Sequence, residues 1–162
     1  MPKKLPLRPN VCLLVFNKAG KLLLAERAGK GGRWQFPQGG AEPGLTLEEN
    51  VVKEVGEELG IKPKQIGRII KLKCTHEYDW DKPPAYARNI WRGQSQTFWL
   101  VEFKGQDSDI DLASCIEDGD EQELMSWRWC STDEVRELAE PKRIDGYLKA
   151  LAEFDEFLDS SL

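Results

Sequence analysis

The sequence predicts an α+β fold in which strands precede and follow one central helix and a further helix closes the chain. Three observations carry this. Apolar, β-type runs stand at Val11 to Phe16 and Thr97 to Phe103, a glycine-rich loop feeds a capped helix between Gly39 and Gly60, and an apolar period of 3.6 residues runs from Ile144 to Leu158.

Taken in order, Val11 to Phe16 is a continuous apolar run suited to a buried strand, and Asn17-Lys18-Ala19-Gly20 supplies the turn into a second run, Lys21 to Ala25. Trp34-Gln35-Phe36-Pro37-Gln38-Gly39-Gly40 is a short strand breaking into a loop. Thr46, with Glu49 three residues on, has the form of a capping box, and Gly60 suits the position just past a helix end. Ile66 to Thr75 is β-rich and basic, Thr97 to Phe103 is aromatic and strongly β-forming, and Ser126 to Cys130 is a shorter strand. Thr132 to Ala139 and Ile144 to Leu158 read as helices separated by Pro141; Ile144, Tyr147, Leu148, Leu151, Phe154 and Leu158 would lay the second on the sheet. Glu77 to Gln94 and Gly105 to Gln122 read as irregular, the first a candidate substrate lid and the second an acidic surface loop. With 162 residues and no visible repeat or linker, a single domain spanning 1–162 is expected.

The central helix carries the chemistry. Glu54, Glu57 and Glu58 stand at i, i+3 and i+4, which places three carboxylates within an arc of about 100°. Val51, Val52, Val55 and Leu59 fill the neighbouring arc, which can pack on a core and hold the acidic ridge at the lip of a cleft. An acidic helix face is most often simply solvated. Here the like charges repel, and two of them sit in the last turn, where they oppose the helix dipole. A hard divalent cation with oxygen ligands, Mg²⁺ with Mn²⁺ as a substitute, is the natural compensation.

Composition excludes several classes. Forty per cent hydrophobic and 31 % charged residues describe an ordinary soluble protein, and a net charge of −5 gives no broad attraction to a nucleic-acid backbone. A nucleic-acid substrate would have to be gripped at an end, and neither DNA nor a membrane is expected as a partner. Cys12, Cys74, Cys115 and Cys130 show neither CxxC pairing nor zinc spacing, so reduced thiols are expected. No apolar run approaches the ~20 residues of a membrane span, and Met1 to Pro9 lacks the apolar segment of a signal peptide. A cytoplasmic protein is expected.

The stretch from Gly39 to Ile61 resembles a Nudix box: G, five residues, E, seven residues, then R-E-U-x-E-E-x-G-U with U a bulky aliphatic. Gly39, Glu54, Val55, Glu57, Glu58, Gly60 and Ile61 match its fixed positions. Leu45 stands where the pattern has its first glutamate and Lys53 where it has arginine; in the family those side chains mainly orient the metal-binding glutamates. Further matches are Arg8-Pro9-Asn10-Val11, Arg27, Trp34 to Gly40, Gly93-Gln94-Ser95-Gln96 before Phe98-Trp99-Leu100, and Glu123 four residues before Trp127-Arg128-Trp129. In that order they are similar to the bacterial RNA pyrophosphohydrolases and plant-type diadenosine tetraphosphate hydrolases.

The resemblance implies the family's α/β/α sandwich with a mixed central sheet. It implies cations on Glu54, Glu57, Glu58 and the Gly39 carbonyl, with Glu123 an added ligand or the general base and Glu57 its rival for that role. It implies that Arg8 and Arg27 contact 5′ phosphates or terminal nucleotides, for which the arginine fork is suited. Gln94 and Gln96 alternate into a strand and so point to one face, within reach of phosphate or water. Tyr78 is a further candidate for the substrate, and Trp80, Tyr86 and Trp91 could stack on a base. Trp99, Trp127 and Trp129 read as structural, and so does His76, the only histidine. The expected reaction is conversion of a 5′-triphosphorylated or diphosphorylated RNA end to a 5′ monophosphate, as in mRNA decay. The alternatives are hydrolysis of dinucleoside polyphosphates and, from another class, a non-catalytic module that binds nucleotide or protein. A protein partner is unknown.

Overall fold

The computed structural model describes residues 4–29, 31–113 and 124–161. Its strands are β1 (Leu7–Phe16), β2 (Leu22–Arg27), β3 (Trp34–Gln35), β4 (Gln38–Gly40), β5 (Ile66–Asp79), β6 (Gly93–Phe103) and β7 (Leu124–Cys130), and its helices are α1 (Leu47–Leu59), α2 (Thr132–Leu138) and α3 (Pro141–Ser161).

The sheet is mixed. β1 runs parallel to β6 over its whole length, from Leu7 opposite Gly93 to Phe16 opposite Glu102. The remaining pairs are antiparallel: β1 with β2 and β4, β2 with β3 and β7, and β5 with β6. A parallel pair at the sheet's centre is covered on both faces, which is why β1 reads as an unbroken apolar run. Its alternation then divides the core. Val11, Leu13 and Val15 face one way and pack with Val51, Val55 and Leu59 of α1. Cys12, Leu14 and Phe16 face the other and pack with Tyr147, Leu151 and Phe154 of α3. Helices on both faces of a mixed sheet make the expected α/β/α sandwich.

Local signals placed the helix ends well. Thr46 and Glu49 exchange both capping-box bonds, the Glu49 N–H donating to Thr46 Oγ1 at 3.1 Å and the Thr46 N–H to Glu49 Oε1 at 2.9 Å. Gly60 closes α1 in the left-handed region, at φ 69°.

Three expectations need correction. The stretch from Glu77 to Gln94 is not irregular throughout: β5 continues to Asp79 and β6 begins at Gly93, because Tyr78 pairs with Gln94 and Asp79 with Gly93. The connecting loop is therefore shorter, with one helical turn at Ala85–Ala87. Pro141 does not separate two helices but opens α3, where a missing N–H costs nothing. Leu148 is 46 % exposed and so does not join the face of α3 that packs on the sheet. The acidic stretch from 114 to 122 lies outside the described residues.

Candidate active site

The site begins where the backbone of β4 passes between two elements. Gly39 pairs with Val11 and Gly40 with Asn10 of β1. A Cβ on Gly39 would fall on the carboxylate of Glu54, and one on Gly40 on the guanidinium of Arg8. The two glycines therefore let an acid from α1 and a base from β1 close onto one short strand. Phe36, just before it, is anchored from the other side: its N–H donates to the Tyr147 hydroxyl at 3.2 Å and the two rings lie 4.6 Å apart. Burial pushes the Tyr147 phenol up, so it remains neutral there.

The loop into α1 is strapped by a side chain. Asn50 is fully buried; its Oδ1 accepts from the Glu42 N–H at 2.8 Å and its Nδ2 donates to the Thr46 carbonyl at 2.9 Å. One and two turns on come Glu54, Glu57 and Glu58. Glu54 is buried, whereas the side chain of Glu57 is half exposed and meets Lys53 Nζ at 2.9 Å. Lys53 also meets Glu42 at 2.9 Å. Hydrogen bonds that the Lys53 ammonium donates, to Glu57 first and Glu42 second, raise it above its ordinary value.

Next to this ridge lies a buried amide cluster. Asn10 Nδ2 donates to Gln94 Oε1 at 2.8 Å, Gln96 Nε2 donates to Asn10 Oδ1 at 3.2 Å and to Gln38 Oε1 at 2.5 Å, and Gln94 Nε2 donates to the Tyr78 hydroxyl at 2.5 Å. Gln94 and Gln96 do share one face, but their amides bind one another's neighbours. Burial raises the Tyr78 phenol, with the Gln94 hydrogen bond opposing it.

One cleft of about 1890 Å³ gathers these parts. It is lined by Gly39, Glu54, Glu57 and Glu58, by Arg8 and Arg27, and by Tyr78, Gln94 and Gln96. The candidate residues read from the sequence meet there with two exceptions: Trp91 is not part of the lining, and Glu123 lies outside the described residues. Arg8 stacks over Tyr86 at 4.7 Å from the ring centroid, and Trp80 meets Tyr86 edge to face at 6.2 Å. His76 also lines the cleft, against Gly146. Among the described residues no three acidic, histidine or cysteine side chains converge on one point as they stand.

Residues that the motif reading passed over complete the wall. Lys142 and Arg143 reach the cleft from the start of α3, and Arg143 Nε donates to Glu140 Oε2 at 3.1 Å. Burial opposes the Arg143 charge, but its surroundings, with the Glu140 carboxylate accepting a hydrogen bond, outweigh it and raise the guanidinium. The signal available in the sequence was two cations in the first turn of a helix, where its dipole disfavours them.

A carboxylate ridge and Arg8 closed onto one glycine strand, with Arg27 on the same cleft, are suited to a polyphosphate and a divalent cation. The NUDIX domain family model matches residues 6–152, and the chain belongs to the Nudix family. It is 33 % identical over 156 residues to the RNA pyrophosphohydrolase of Sphingopyxis alaskensis, spanning 93 % of this chain and 94 % of that one. It is 30 % identical to the RNA pyrophosphohydrolase of Roseobacter denitrificans over 96 % of both chains. Among solved structures, the fold is similar to a C. elegans Ap4A hydrolase (TM-score 0.66, 21 % identity, 95 % of this chain and 99 % of that one). It is equally similar to the E. coli dihydroneopterin triphosphate pyrophosphohydrolase (TM-score 0.66, 14 % identity, 93 % and 99 %).

Proposed function

We propose that this chain is a Mg²⁺-dependent pyrophosphohydrolase that converts the triphosphorylated or diphosphorylated 5′ end of RNA to a 5′ monophosphate. The observation that carries it is the closure of Glu54 and Arg8 onto the Gly39-Gly40 strand, one side suited to a cation and the other to phosphate. Likeness over nearly the whole chain to RNA pyrophosphohydrolases of two bacteria supports the choice of substrate. A single domain over 1–162, acting in the cytoplasm, carries the activity in this reading; among the described residues no helix is long and apolar enough to cross a membrane.

The donor set fits a hard cation. Glu54, Glu57 and Glu58 supply carboxylate oxygens, Gly39 adds a carbonyl, and the missing Cβ at Gly39 is what leaves room for the Glu54 carboxylate. When bound, Mg²⁺ neutralises phosphate charge and lowers the pKa of water. The chain's own residues do the rest. Arg8 and Arg27 hold the phosphates, and the amide cluster of Asn10, Gln94 and Gln96 fixes the floor beneath them. Glu57, or Glu123 as the resemblance implies, takes the proton as the water oxygen bonds to phosphorus and the anhydride P–O bond breaks. Tyr78, Trp80 and Tyr86 offer faces to a base.

A second reading, hydrolysis of dinucleoside polyphosphates, is favoured by the Trp80–Tyr86 pair beside Arg8, which suits a second base. Both readings need the same ridge. Glu57→Gln tests it: turnover should fall by on the order of 10³-fold or more with an unchanged circular dichroism spectrum. Turnover like that of the parent would refute the ridge mechanism, whereas a parent with no turnover on either substrate would favour a binding module.

A further inference from the structure

We infer that Glu42 is a positioning residue: acting through the Lys53 ammonium, it sets where Glu57 stands and how readily Glu57 takes a divalent cation. The inference rests on the ridge reading given above and goes beyond it, since Glu42 belongs to the loop and not to the ridge.

Three contacts carry the argument. Lys53 Nζ is shared evenly, 2.9 Å from Glu42 Oε1 and 2.9 Å from Glu57 Oε1. Glu42 is a fixed point although its side chain is half exposed, because its backbone N–H and carbonyl are both bound by the fully buried Asn50, at 2.8 and 3.4 Å. Within α1 the Lys53–Glu57 pair has lysine on the N-terminal side, the weaker order for an i,i+4 ion pair. That pair alone would therefore hold Glu57 loosely. A carboxylate delivered by the loop gives the lysine a second, anchored partner, and one side chain already ordered by a partner loses less freedom on meeting another.

The residue at 45 explains why the contact comes from 42. Leu45 is 38 % exposed and brings no charge to Lys53. The loop from Glu42 to Thr46 is pinned at both ends by Asn50, so position 42 is the acidic place in it that is held against the helix. The consequence has a sign. With Glu42 present, the ammonium charge is divided between two carboxylates and Glu57 keeps an oxygen to offer. Without it, the whole charge falls on Glu57 and competes with the incoming cation.

A double-mutant cycle tests this. Glu42→Gln, Lys53→Met and the double variant are titrated with Mn²⁺ alone, following the free ion by electron paramagnetic resonance, and kcat and KM are measured on triphosphorylated RNA. Glu42→Gln should weaken Mn²⁺ binding about fivefold, the order set by one unit charge at contact distance in a solvent-exposed site. It should lower kcat while leaving KM for RNA within about twofold, and Glu42→Asp should restore part of both. In the Lys53→Met background the same Glu42→Gln change should alter Mn²⁺ affinity by less than about twofold, since its route is gone. An undiminished fivefold loss in that background would show that Glu42 acts directly on the cation and would overturn the inference. So would Mn²⁺ affinity unchanged in Glu42→Gln. Parent protein that binds no Mn²⁺ and turns over no substrate would overturn the ridge reading itself, and the inference with it. Melting temperatures of the metal-free variants should agree with the parent, as expected of exposed ion pairs.

Discussion

Asn10 of β1 donates a 2.8 Å hydrogen bond to Gln94 of β6, and both side chains are buried although they lie beside a polar cleft. Strands 1 and 6 are parallel here, so this bond and the Gln96–Asn10 bond tie the floor of the cleft across the middle of the sheet. A buried amide is stabilising only while its partners remain.

Removing Asn10 should therefore cost fold stability as well as activity. Asn10→Ala strands Gln94 Oε1 and deprives Gln96 of one acceptor, and the expected loss is about 1–3 kcal/mol in urea unfolding. A loss below about 0.5 kcal/mol would mean that the amides are satisfied without Asn10.

Gly39→Ala tests the cradle. The added methyl falls on the Glu54 carboxylate, which must turn away, and a displacement of that kind near reacting atoms costs on the order of 10²-fold in kcat. Since Gly39 sits in a short strand with an ordinary backbone, the melting temperature should change far less than activity. Retained kcat would remove Glu54 from the cation site.

Arg8 should matter for its shape as well as its charge. Arg8→Ala is expected to raise KM for triphosphorylated RNA about tenfold or more, and Arg8→Lys to recover only part of this, because lysine lacks the fork and stacks less well on Tyr86. Full recovery by lysine would leave only a point charge in play.

Acid should loosen the start of α1. Backbone and side-chain hydrogen bonds from Thr46 lower the Glu49 pKa from its ordinary 4.5. A carboxylate depressed in the folded state contributes stability above its unfolded value, and that contribution is lost as pH falls through the lower folded value. The fall in melting temperature below pH 4.5 should accordingly be shallower in Glu49→Gln than in the parent. Parallel acid limbs would show that the capping box does not titrate.

What could be read from the sequence was local. The caps of α1, the acidic ridge and the apolar runs of β1 and β6 are each set by residues within a few positions, and the chain folds as those signals say. The extension of β5 was hidden because His76 and Tyr78 continue its inward alternation with polar rings, and only pairing with Gln96 and Gln94 makes them strand. The amide cluster joins positions 10, 38, 94 and 96, a meeting set by strand order that no local pattern encodes. Lys53 read as a weakened arginine; that it would find Glu42 depends on the path of a loop which buried Asn50 fixes. Lys142 and Arg143 were passed over because Pro141 read as a break between helices, when it is the first residue of α3.

The central claim is a cation-dependent attack on the phosphate chain at an RNA 5′ end. Its most direct test is release of phosphate and pyrophosphate from a short 5′-triphosphorylated RNA, with Mg²⁺ and with chelator, beside diadenosine tetraphosphate under the same conditions. The prediction is Mg²⁺-dependent conversion of the RNA to its 5′ monophosphate, abolished by chelator and faster than cleavage of the dinucleotide. Turnover of the dinucleotide faster by orders of magnitude would contradict the RNA assignment, and no turnover of either would contradict the enzyme.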